Sequence, residues 1–183
     1  NPNVGRALEG RTILGFNFRM NEFQGAVGLA QLRKLDYIIG EQRKNKAAIR
    51  DALEQIPGIG FRKSFDPDGD TATFLGFNFP DEASAKKIQG ALKEGGVDTI
   101  YFKDNAWHYA PRWEHLIAWS TANSKQFPFT YPGYAGKAEY RTEDIPQAED
   151  FLGRTLFMII PVKMAEERLE TIIGGLQKAA KAL

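Results

Sequence analysis

Two histidines stand seven positions apart inside an aromatic stretch, Trp107-His108-Tyr109 followed by Trp113-Glu114-His115. A histidine pair that shares a metal on one helix face needs a spacing of three or four, so metal chemistry is a poor fit here. His108 is left with two readings, a hydrogen bond to a substrate or plain packing. His115 reads as a surface or packing residue. The run Asp66-Pro67-Asp68-Gly69-Asp70 has the acid density of a calcium loop but lacks the further ligands and the closing Glu, and it reads as a hairpin turn. No cysteine is present, which removes disulfides and thiolate metal sites. The chain contains no Gly-rich phosphate loop, no Ser nucleophile elbow and no HExxH pair.

The elements that must hold these residues follow from periodicity. Asn21 caps a helix with Glu22 in its first turn. The helix has a broad apolar stripe through Phe23, Val27 and Leu29, with Gly25, Ala26, Gly28 and Ala30 among the large side chains. Small residues in that number suit close approach by another backbone. A second, more polar helix spans 36–56 and ends at Pro57-Gly58. Its run Gln42-Arg43-Lys44-Asn45-Lys46 has the composition of a solvated face. Half-polar helices of this length commonly bridge two domains. Strands are expected over 61–65, 71–79, 97–102 and 155–160, and helices over 82–94, 146–152 and 165–182. In the second strand Phe74, Gly76 and Asn78 share one face, while Leu75, Phe77 and Phe79 share the other. Residues 103–145 are irregular. This order makes an α+β domain over 57–183 with a small, mostly antiparallel sheet.

Composition bounds the function classes. Of 183 residues, 43% are hydrophobic and 26% charged, with a net charge of +1. A dedicated nucleic-acid binder would show a basic excess, and none is seen. The longest apolar run, Leu156 to Val162, is strand length, well below the roughly 18 residues of a membrane span. No charged-then-apolar leader opens the chain, and a soluble cytoplasmic protein is expected. The chain starts at Asn1, and 1–12 carry no start signal; the terminus reads as a cut inside a longer protein.

The segment Gly15-Phe16-Asn17-Phe18-Arg19-Met20-Asn21-Glu22-Phe23-Gln24-Gly25-Ala26-Val27-Gly28-Leu29-Ala30-Gln31-Leu32-Arg33-Lys34-Leu35-Asp36 resembles the G-x-N-x-R-[ML]-x-E-x-x-A-A-x-G-x-x-Q-L-x-x-L-[DE] motif of the DegT/StrS sugar aminotransferases. The downstream layout is similar too, and is weakest over 112–145. The resemblance implies the small C-terminal α+β domain of a fold-type I enzyme that uses pyridoxal 5'-phosphate (PLP), preceded by a helical tail of its large domain. The divisions would be 1–35 for the end of the large domain, 36–56 for the bridging helix and 57–183 for the small domain.

It further implies a homodimer with a shared active site. An amino group would move from an amino acid, glutamate by expectation, to a keto or aldehyde sugar of cell-surface polysaccharide synthesis. An 8-amino-octulosonate is the narrower product expectation. Asn17 and Arg19 would bind the cofactor phosphate, Asn17 across the dimer interface. Tyr101, Trp107 and His108 would line the substrate site, where aromatic rings suit sugar faces. The Schiff-base Lys and the Asp that holds the pyridinium proton would lie upstream of residue 1, so the chain alone is expected to be inactive. Two other readings stay open. The chain is a stand-alone, non-catalytic partner-binding protein, or it is one half of a split aminotransferase.

Overall fold

The computed structural model describes residues 19–105, 107–133 and 141–181. The chain divides into two compact units, Asn1–Asp36 and Tyr37–Leu183.

In the first unit, helix α1 (Glu22–Leu32) starts on a reciprocal cap. The Gln24 amide donates to Asn21 Oδ1 at 2.8 Å, and the Asn21 amide donates to Gln24 Oε1 at 3.0 Å, so two orphan donors of the first turn are satisfied. No residue of α1 is buried. Met20, Phe23 and Leu32 are 75%, 78% and 65% exposed. A helix apolar on every side is ordinarily a buried helix.

The second unit contains α2 (Leu35–Glu54), β1 (Gly60–Phe61), β2 (Phe74–Asn78), α3 (Glu82–Glu94), α4 (Glu114–Ile117), α5 (Pro146–Gly153), β3 (Thr155–Ile159) and α6 (Glu166–Ala180). Its three strands form one antiparallel sheet in the order β1-β2-β3, with Gly76 opposite Phe157. The period of two places Leu75, Phe77 and Phe79 with Leu156, Met158 and Ile160 in one buried cluster. Ile49 and Leu53 of α2, Ile88 and Leu92 of α3, and Ile172 and Leu176 of α6 complete it. One layer of helices therefore covers one face of the sheet, and α2 belongs to this core.

The run 42–46 departs from its expected solvated role. Gln42 and Asn45 are buried. Gln42 Nε2 donates to the Ile160 carbonyl at 2.7 Å, and Asn45 Nδ2 to the Pro161 carbonyl at 3.1 Å. These amides fasten α2 to the end of β3. The first two strands are also shorter than expected. Asp66 Oδ1 accepts from the Gly69 amide at 2.9 Å, and Arg43 donates to the carbonyls of Asp68 and Asp70, so the chain turns soon after Phe61. Ala72 has φ 60° with its amide on Asp70 Oδ1, and this left-handed residue delays the start of β2. The strand expected over 97–102 reduces to a single bridge, Ile100 with Phe157.

Candidate functional site

The bridge at Ile100 delivers the chain onto the rim of β3, and the next turn is a 3-10 helix, Phe102–Asp104. The Phe102 ring packs edge-on to Phe157 at 4.7 Å between centroids and to His108 at 5.3 Å. Asn105 then shapes the loop, its side chain accepting from the Trp107 amide at 2.9 Å and its carbonyl from the His108 amide at 3.1 Å. That is the local turn chemistry for which Asn is suited. Trp107 is left 86% exposed, and His108 is exposed as well.

Trp107 shares an open hollow of about 850 Å³ with Arg112, Trp113, Glu114 and His115. The Trp113 and His115 rings are stacked, 6.0 Å apart at 22°. Among the described residues Arg112 makes one ion pair, with Asp104 at 3.8 Å. Aromatic faces beside an exposed guanidinium can hold a flat or sugar-like ligand that carries an acceptor or a negative group. Sequence reasoning named Trp107 and His108 but missed Arg112 and Trp113. Their signal was present in the second aromatic-His cluster, which was set aside with His115.

Beneath the loop lies a network of charged and phenolic groups. Lys103 pairs with Glu82 at 2.9 Å and with Glu149. Lys86 adds a second cation on Glu82 at 2.7 Å. Tyr101 donates to Glu82 at 2.8 Å, and Tyr109 donates to Glu149. Lys86, Lys103 and Tyr101 together pull the Glu82 carboxyl down to about 2. For Glu149, burial pushes the other way, but the hydrogen bonds from Lys103 and Tyr109 outweigh it and hold the carboxyl below its usual range. Burial and the Glu149 contact raise Tyr109 to about 12. Burial, then Glu82, raises Tyr101. Lys103 would be lowered by its burial, yet Glu149 and Glu82 prevail and keep it above the ordinary lysine value.

The structure thus places Tyr101 under the loop rather than on its surface. It is 4% exposed, its hydroxyl donates to Glu82, and it lines a small hollow with Asn105 and Trp107. Asn17 lies outside the described residues. Arg19 is exposed, two residues before the cap of α1. The structure gathers Trp107 and His108 on one loop.

A Schiff base with PLP needs an amine that can be present unprotonated. Lys46 and Lys103 are the least exposed lysines among the described residues, with side chains 16% and 18% exposed, and both are ion-paired. The remaining described lysines are exposed. The described residues therefore do not fit a Schiff-base site.

The fold is that of part of an aminotransferase. The chain is similar to the aminotransferase TlmJ from Streptoalloteichus hindustanus, at 22% identity and a TM-score of 0.60 over 97% of this chain and 41% of that one. It is also similar to 3-amino-5-hydroxybenzoic acid synthase, at 16% identity and a TM-score of 0.59 over 96% of this chain and 43% of that one. It spans about two-fifths of each of these structures. Residues 3–128 match the DegT/DnrJ/EryC1/StrS aminotransferase family, and the chain belongs to that family.

Proposed function

We propose that this chain is the C-terminal portion of a PLP-dependent sugar aminotransferase whose Schiff-base lysine lies outside residues 1–183. The family match over 3–128 carries the reading, and the lack of an available buried amine among the described lysines supports it. The amino donor is glutamate. The acceptor is a keto or aldehyde sugar of cell-surface polysaccharide synthesis, in particular the precursor of 8-amino-3,8-dideoxy-manno-octulosonate. The enzyme is a cytoplasmic homodimer with a shared active site. In it Asn17 and Arg19 bind the cofactor phosphate, Asn17 across the interface. Tyr101, Trp107 and His108 line the sugar site, Trp107 and His108 from their exposed loop and Tyr101 from beneath it.

The test is an assay of the full-length protein with glutamate and a panel of keto and aldehyde sugars, reading 2-oxoglutarate and amino sugar. Trp107→Ala and His108→Ala are expected to lower kcat/KM for the sugar by roughly tenfold or more, with the glutamate half-reaction unchanged. Absence of transfer to every sugar would refute the acceptor class. Unchanged sugar kinetics in both variants would remove the loop from the site.

A further inference from the structure

Beside β2, where β1 has ended, lies a groove of about 770 Å³ bordered on one side by Lys46 and Arg50 of α2, and it shares no residue with the Trp107 hollow. Its floor is aromatic. Phe74, Phe102 and Phe157 line it beside Gly76, with Phe61 at the β1 end packed against the core, and Phe74 is 50% exposed. Gly76 stands opposite Phe157 in register, and a Cβ there would lie 2.8 Å from that ring. The missing side chain is what lets the Phe157 ring lie against the strand and keeps the floor flat.

The rim is cationic. Lys46, Arg50, Arg62 and Lys63 line the groove against one carboxylate, Asp70. Three of these cations are already engaged, Lys63 only by the Phe65 ring, whose centre lies 5.1 Å from its ammonium. Lys46 pairs with Asp70, and Arg50 pairs with Glu54 at 2.8 Å while lying 4.3 Å from the centre of the Phe61 ring. Arg62 and Lys63, directly after the edge strand β1, form no ion pair among the described residues. Beside them Thr71 and Thr73 bring their hydroxyls within 3.1 Å of each other.

We propose that this groove binds a small organic anion with a flat ring, the ring on the phenylalanine floor and its phosphate or carboxylate at Arg62 and Lys63. Charge decides the kind of occupant. Arg62 and Lys63, which no carboxylate pairs among the described residues, favour an anion, and Arg matches an oxyanion with a planar fork of donors. A second copy of the chain would bring the same cations face to face. The size also suits a small molecule, since ligand clefts are commonly about 300–1,000 Å³. The proposal stands apart from the assignment of the sugar site.

The probe is phenyl phosphate, titrated into the 15N-labelled full-length protein beside inorganic phosphate and phenol. Phenyl phosphate is expected to saturate at lower concentration than either and to shift the amides of Phe61, Thr73, Phe74 and Gly76. Arg62→Gln with Lys63→Gln is expected to weaken binding about tenfold or more. Phe74→Ala is expected to erase the preference over inorganic phosphate. Both basic side chains are exposed, so the resonances of Phe77 and Leu156 should not move in the double variant; if it fails to fold, Arg62→Gln alone makes the same comparison. Equal affinity for phenyl phosphate and inorganic phosphate overturns the proposal. So does wild-type affinity in the glutamine variant. Groove amides that ignore the probe but shift with protein concentration overturn it as well, in favour of a second copy on this face.

Discussion

Lys103 is the residue on which the site loop depends most. Its ammonium separates two carboxylates, Glu82 and Glu149, which come from different helices, while its own backbone starts the loop. Lys103→Met would leave two acids facing each other without their shared cation. Removal of one partner of a part-buried charged network costs about 1–3 kcal/mol, measurable by urea denaturation, and the loss should be accompanied by faster amide exchange over 101–113. The same network sets a pH window. Glu82 falls from an ordinary 4.5 to about 2 in the fold, so its contribution is complete above 4.5 and disappears as pH drops towards 2. Tyr109 moves the other way, from 10 to about 12. Its contribution is complete below 10 and disappears as pH climbs towards 12. Stability against urea should therefore be flat between these limits and fall on both sides. In Lys103→Met the acid flank should flatten, because Lys103 helps hold Glu82 down, while the Tyr109 flank should persist, because Lys103 opposes the rise of Tyr109. Chemistry of this sort was not legible beforehand, because Glu82, Lys103 and Glu149 are far apart in sequence and each looks like an ordinary surface charge.

The elements themselves were largely legible where periodicity was long. Helix α3 lies at its expected bounds of 82–94, α6 within two residues of its expected ends, and the two faces of β2 divide as the alternation required. What failed was whatever depended on partners distant in sequence. The polar run 42–46 has the composition of a wet surface, yet two of its five side chains hold the end of β3 through buried amide hydrogen bonds. Propensity does not register such a role, and the polar pattern of the sequence alone cannot separate the buried Asn45 from the exposed Lys44. Their substitutions should separate them. Gln42→Ala leaves the Ile160 carbonyl without its donor and should cost about 1–3 kcal/mol, whereas Lys44→Ala, exposed on the same helix, should stay within about 0.5 kcal/mol of the parent chain. Comparable losses for both in thermal unfolding would show that α2 is held by apolar packing only. The short strands were missed for a related reason: the Asp66–Asp70 turn and the left-handed Ala72 are settled by side-chain contacts with α2, including Lys46 on Asp70.

At the scale of the whole molecule, the second unit has a well-built core, whereas α1, in the first unit, has no buried residue. The family motif falls on that helix and the residues before it, and this is why family membership was readable when mechanism was not. Among the described residues, those of the motif on α1 are not buried. In the account given above they meet other parts of a larger aminotransferase, and Asn17 donates to the cofactor phosphate there. Asn17→Ala in the full-length protein should weaken PLP retention by about 1–3 kcal/mol, read from the concentration at which the cofactor dissociates; full retention together with full turnover would remove that role. The central claim concerns where the reactive amine resides. Borohydride reduction of the PLP-loaded full-length enzyme, followed by peptide mass mapping, tests it most directly. The account predicts one pyridoxyl-lysine, located outside residues 1–183, and no stable adduct when the 183-residue chain is treated alone. A single stoichiometric adduct on a lysine of this chain, such as Lys46 or Lys103, would contradict it.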